Sequence, residues 1–198
     1  MNGENNTLND PDHALPDTIE AGTQALVACL RSGDPSALEK LESRYRARLV
    51  KFCWGYLGNM EEAEDAVQEV FFKVFQAPTV PDLFRAWLYR ISRNQCLNML
   101  RTRARRVECE ALPEASDLDA VLTGQLTGMV RDETRKSLSE AVARLSEPQR
   151  EALRLRYVEN LSRAEIAEVL EVLEPVVKSR IFEGLQQLRQ SIPIPGDS

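Results

Sequence analysis

The sequence predicts an all-α protein: two small helical domains joined by a flexible acidic linker, the second domain ending in a helix-turn-helix. Three observations predict it. Apolar residues recur at helical spacing, most cleanly at Ala63, Ala66, Val67, Val70, Phe71, Val74 and Phe75. Helix-start signals recur too: Asp34-Pro35, Asn59 with Glu62, Ser146 with Gln149, and Ser162 with Glu165. Composition also changes abruptly after the first domain. Glu108, Glu110, Glu114, Asp117 and Asp119 fall in a stretch without Lys or Arg, which reads as a linker over 107–130.

Residues 1–22 are rich in Asn, Asp and Pro and are expected to be a disordered tail. From Thr23, Leu26, Val27 and Leu30 mark a first helix. Gly33 breaks it, and Asp34 caps the next, with Pro35 at its first position. Leu38, Leu41, Tyr45, Leu49 and Phe52 form the inner side of that second helix, which ends near Gly55 to Gly58. Asn59 opens a third helix. Its outer face carries Glu61, Glu64, Asp65, Gln68, Glu69, Phe72 and Lys73, either a docking surface or an ordinary solvated exterior. Pro78 and Pro81 end it. The first domain is placed at 23–106.

A fourth helix is the chain's reversal of sign. Between Leu83 and Val107 there is no Asp or Glu, while Arg85, Arg90, Arg93, Arg101, Arg103, Arg105 and Arg106 all fall there. Phe84, Trp87, Leu88 and Ile91 share one face; Arg90, Arg93 and Arg101 share another. Such a helix can pack on a core and show a cationic stripe. Arg beside the exposed aromatics Phe84, Trp87 and Tyr89 suits a surface that holds phosphates and stacks bases.

The second domain is placed at 131–190, followed by a tail at 191–198. Leu138, Val142 and Leu145 mark one helix; the next turns Leu153 and Tyr157 inward. A short helix with Ile166, Ala167, Val169 and Leu170 follows Ser162. Glu171 to Glu174 form a turn, and Pro175 starts a last helix with Val177, Ile181, Leu185 and Leu188. Short helix, turn, longer helix is the helix-turn-helix pattern, with Lys178 and Arg180 where base edges would be met.

Composition excludes several classes. The net charge of −6 opposes unaided DNA binding, so a stand-alone helix-turn-helix repressor is disfavoured. Cys29, Cys53, Cys96 and Cys109 are far apart, and the single histidine, His13, lies in the polar tail. That spacing suits reduced thiols and no metal or cofactor, and nothing assembles a catalytic site. No apolar run is long enough to insert in a membrane, and the N-terminus is not a signal peptide. A cytoplasmic location is expected.

Four segments then carry a family likeness, in order. They are Gly33-Asp34-Pro35 with Leu41 and Tyr45; Ala63-Glu64-Asp65-Ala66-Val67-Gln68-Glu69-Val70-Phe71; Phe84-Arg85-Ala86-Trp87-Leu88-Tyr89-Arg90-Ile91 with Arg93-Asn94; and Leu145 to Tyr157 followed by Leu161 to Arg180. Together they resemble a bacterial RNA polymerase sigma factor of the extracytoplasmic-function (ECF) type. The resemblance implies a subunit that binds the β and β′ subunits of the polymerase core, recognises promoter −10 and −35 elements, directs initiation and answers to an anti-sigma factor. It implies that Asp65, Gln68, Glu69 and Phe72 dock on the core, an acidic face suiting such a contact. It assigns Trp87, Tyr89, Arg90, Arg93, Asn94 and Arg101 to the opened −10 strand, with the loop Ala77 to Leu83 helping to choose a captured base. Val176, Lys178, Ser179 and Arg180 would meet the −35 element.

The likeness has departures. Glu171 stands where the family usually turns on Gly, Val176 where Thr or Ser commonly begins the last helix, and Asn98 where an Asp is common; few basic residues follow Arg180. These keep an alternative open: a sigma-like decoy that binds an anti-sigma factor without directing transcription. The assignment also carries a condition. The guanidinium groups must face an open groove, not the chain's own carboxylates.

Overall fold

The computed structural model describes residues 22–107 and 139–191. The expected linker and the two tails lie essentially outside the described residues. Four helices form the first domain: α1 (Thr23–Arg31), α2 (Pro35–Leu57), α3 (Met60–Gln76) and α4 (Phe84–Val107). After a helical stretch at 139–143 come α5 (Glu147–Tyr157), α6 (Arg163–Leu170) and α7 (Glu174–Ser191). The described residues contain no strand. No helix among them is long and apolar enough to cross a membrane.

Local chemistry explains the boundaries. Asp34 accepts from the Ser36 amide at 2.9 Å, and Pro35 follows with its missing N–H at no cost. Asn59 accepts from the Glu62 amide at 3.0 Å. Ser146 and Ser162 each form a full capping box, with Gln149 and Glu165. Gly58 ends α2 in the left-handed conformation, φ 66°, where a Cβ is disfavoured.

The first domain closes around Leu41, Tyr45, Leu49, Phe52, Val67, Val70, Phe84 and Leu88, all essentially without exposure. Aromatic edges organise it: Tyr45 meets Phe84 at 6.1 Å, and Phe52 meets Tyr89 at 5.0 Å. In the second domain α7 lies on α5 and α6, burying Val177, Ile181 and Leu188. Gly184 permits that approach, because a Cβ there would stand 2.9 Å from Leu153 Cδ1.

Three residues depart from the sequence pattern. Phe75, expected on the inner stripe of α3, is 68% exposed, and Tyr157, expected inward on α5, is 41% exposed. Both sit in the last turn of their helices. Glu174 belongs to α7, so the turn is one residue shorter than expected.

The two domains pack on one another. Helix α4 lies against α6, and α5 reaches α2. That arrangement decides the environment of every arginine in the first half of α4.

Candidate nucleic-acid interface

Helix α4 presents Arg85, Tyr89 and Arg93 at i, i+4 and i+8, one continuous face with about 6 Å of rise between members. Each finds an acceptor in the second domain. Arg85 donates from Nε and Nη2 to the two carboxylate oxygens of Glu165, at 2.8 and 2.7 Å, and from Nη2 to the Asn160 carbonyl at 3.1 Å. The Tyr89 hydroxyl donates to Glu159 at 2.6 Å. Arg93 donates to Glu151 through Nε at 2.6 Å and Nη2 at 3.1 Å. Beside this row, Arg90 Nη1 meets Glu168 Oε1 at 2.6 Å. Glu151 also accepts from the Tyr56 hydroxyl of α2.

The electrostatics follow from burial and pairing together. Burial alone would raise the Glu165 carboxyl, but Arg85 and the amide and hydroxyl of Ser162 hold it below the usual carboxylate range. For Arg93, burial works against the charge, and Glu151 overcomes it, so the guanidinium is held more firmly protonated. Burial, then the adjacent carboxylates Glu151 and Glu159, push the Tyr56 and Tyr89 phenols well above their ordinary value. Both therefore serve as neutral donors.

Arg154 of α5 makes a different contact. It is 1% exposed, and its guanidinium lies over Phe52 at 4.7 Å and Tyr56 at 5.0 Å. Nη2 donates to the Phe52 carbonyl, while Nε and Nη1 have no hydrogen-bond partner. Only glycine at 55 leaves room, since a Cβ there would stand 2.5 Å from Nη2.

Among the described residues, the first half of α4 thus presents no open cationic groove. Arg90 and Arg93 face the chain's own carboxylates, and Tyr89, expected to be exposed, is 1% exposed with its hydroxyl under Glu159. Phe84 is equally buried; Trp87 is half-buried against it at 6.0 Å. Beyond the covered half, Asn94 and Arg101 are exposed, and Arg101 donates to Asn98 at 3.2 Å. The stated condition fails for these domains as arranged. Sequence reasoning missed the cover because Glu147, Arg150, Glu151 and Arg154 share one charged face of α5, which periodicity reads as solvated exterior.

The other candidate residues lie apart from α4's cover. Asp65, Gln68 and Phe72 stand exposed on α3, with Glu69 half-buried among them. On α7, Val176, Lys178 and Ser179 are exposed and Arg180 half-buried; Ser179 donates to Glu183 at 2.6 Å. The loop before α4 is tied to α1, Arg31 donating to the Val80 carbonyl at 2.9 Å and to Asp82 at 2.8 Å. Where α4 meets the helix-turn-helix, a cleft of about 560 Å³ is lined by Leu83, Arg90, Glu168, Glu171 and Leu173 among others. Cys53 and Cys96 are both buried. The neighbouring Cys96 thiol, then burial, push Cys53 far up, which leaves it unreactive. No metal-binding cluster occurs among the described residues.

Two helical domains with a helix-turn-helix and a strongly basic helix define a class, and the sequence comparisons agree with it. Residues 41–106 match Sigma-70 region 2, and residues 135–188 match Sigma-70, region 4. The ECF RNA polymerase sigma factor SigE of Mycolicibacterium smegmatis is 33% identical over 186 residues, 91% of this chain and 71% of that protein. SigW of Bacillus subtilis, also an ECF RNA polymerase sigma factor, is 29% identical over 175 residues, 82% of this chain and 92% of that one. Among solved structures, CnrH in complex with the cytosolic domain of CnrY has a TM-score of 0.58 at 24% identity. That match covers 85% of this chain and 96% of CnrH. The chain belongs to the ECF family of RNA polymerase sigma factors. Membership rests on these matches, which do not depend on how the domains are arranged.

Proposed function

We propose that the chain directs promoter-specific initiation by dividing the work among three helices. In the domain at 23–106, α3 docks on the β and β′ subunits of the polymerase core through Asp65, Gln68, Glu69 and Phe72. Helix α4 holds the opened −10 strand with Trp87, Arg90, Arg93, Asn94 and Arg101, while Tyr89, set in the core, positions that face. In the domain at 131–190, α7 meets the −35 element with Val176, Lys178, Ser179 and Arg180. The chain performs no catalysis itself and works in the cytoplasm, where an anti-sigma factor holds it in check.

One observation carries this reading: region 2 and region 4 occur in order, and the acidic face of α3 in the first is left open. An acidic face with a half-exposed Phe suits a contact that is steered by charge and anchored by an aromatic. The test is to mix the purified chain with core polymerase free of other sigma factors and a promoter library. Promoter-dependent transcripts are expected; none, together with no core binding, removes the proposal.

The decoy alternative is favoured by the masking of Arg90 and Arg93 by Glu168 and Glu151. A decoy would bind an anti-sigma partner yet form no promoter complex in the same assay.

A further inference from the structure

We propose that α5 and α6 act as an internal mimic of single-stranded DNA. Carboxylates of these helices occupy Arg90 and Arg93, the covered strand-gripping arginines of α4, in the free chain, and Glu159 between the helices extends the row; a promoter strand must displace them. The proposal rests on the nucleic-acid role of α4 given above.

Register is the first support. As α4 runs through Arg85, Tyr89 and Arg93, the acceptors run backwards through Glu165, Glu159 and Glu151. A row of anions along one helix face is what a strand's phosphates would supply. Chemistry is the second support. Two of the contacts are two-point arginine–carboxylate pairs, the geometry arginine also uses for phosphate. The cover and a nucleic acid therefore compete for the same hydrogen-bond donors.

Arg154 makes the cover releasable. A buried guanidinium with two of its nitrogens lacking a hydrogen-bond partner is poorly solvated, and it regains water when α5 leaves α2. A cover built from charged pairs and a partly satisfied buried cation is held less tightly than an apolar interface of equal extent.

The test uses the full chain, a fluorescein-labelled single-stranded 12-mer oligonucleotide (about 12 nucleotides, within the usual site size) and fluorescence anisotropy at low salt. One variant combines Glu151→Gln, Glu165→Gln and Glu168→Gln, in which Gln at 165 keeps the capping box. A second, Gly55→Ala, expels Arg154 from its slot without altering net charge and favours helix by itself. Circular dichroism checks that both remain folded. Both should bind the oligonucleotide about tenfold tighter than the parent chain, with a larger radius of gyration by small-angle scattering. Adding Arg93→Ala to either should erase the gain. Equal binding by the parent and Gly55→Ala chains overturns the proposal, as does a gain that survives Arg93→Ala. Transcription with polymerase core, measured on the same preparations, separates the causes. Intact promoter-dependent transcription without any gain in binding removes the cover alone. Lost transcription without a gain removes the role of α4 as well.

Discussion

Arg93 and Glu151 join the two domains through paired hydrogen bonds of 2.6 and 3.1 Å, and the same carboxylate accepts from Tyr56. One acidic side chain thus satisfies two donors from different helices of the other domain. Glu151→Ala leaves both unsatisfied in a largely buried place and should cost about 3 kcal/mol, the usual range for breaking such a pair. Tyr56→Phe removes one hydrogen bond and should cost about 1 kcal/mol. Urea unfolding of the two variants checks the ratio; equal small losses would mean that water fills the contact.

Acid should loosen the interface. The Glu165 carboxyl is held below its ordinary value of 4.5, so the folded chain binds fewer protons there than the unfolded one. Its contribution is complete above pH 4.5 and disappears as pH falls through the lower, folded value. Glu165→Gln should flatten that part of the stability–pH curve, measured by thermal unfolding at a series of pH values below 5. An unchanged slope would assign the acid sensitivity to other carboxylates.

Glu171 closes α6 with φ 55° and ψ 45°, a left-handed conformation that a Cβ disfavours. Glycine relieves a strain of about 1 kcal/mol, partly offset by its greater freedom when unfolded. Glu171→Gly should therefore raise the melting temperature slightly, while Glu171→Ala should not. A melting curve for each decides it.

The face of α3 can be probed without disturbing the fold, because Asp65 and Gln68 are exposed. Replacing both with Arg should weaken core binding more than about tenfold and leave the melting temperature unchanged. Pull-down titration with core polymerase measures it, and unchanged affinity would move the docking surface elsewhere.

Arg101 offers a cleaner test of strand holding than Arg90 or Arg93. Charge reversal at either of the latter also breaks an ion pair to the second domain, whereas Arg101 is exposed and, among the described residues, bonds Asn98 within α4 alone. Arg101→Glu should reduce promoter opening, followed by permanganate footprinting, with core affinity unchanged. Equal loss of both would contradict the separation of roles between α3 and α4.

The sequence by itself determined the helices, their caps and the family. Asp34, Asn59, Ser146 and Ser162 act through amides two or three residues away, and the stripe from Ala63 to Val74 depends only on a period of 3.6. Such signals are local, so they are legible in one dimension. Even the strain at Glu171 was visible, because a turn that ordinarily uses glycine has a known backbone demand. What only the tertiary structure decided is where the arginines of α4 point their charge. The partners of Arg85, Arg90 and Arg93 lie 58 to 80 residues away. Nothing in the spacing of glutamates on α5 and α6 distinguishes a carboxylate facing water from one facing a guanidinium. Gly55 looked like the end of a helix and is instead the space that Arg154 fills. Opposite charges on separate domains attract over several ångströms, and their pairing is settled only when packing brings the two surfaces together.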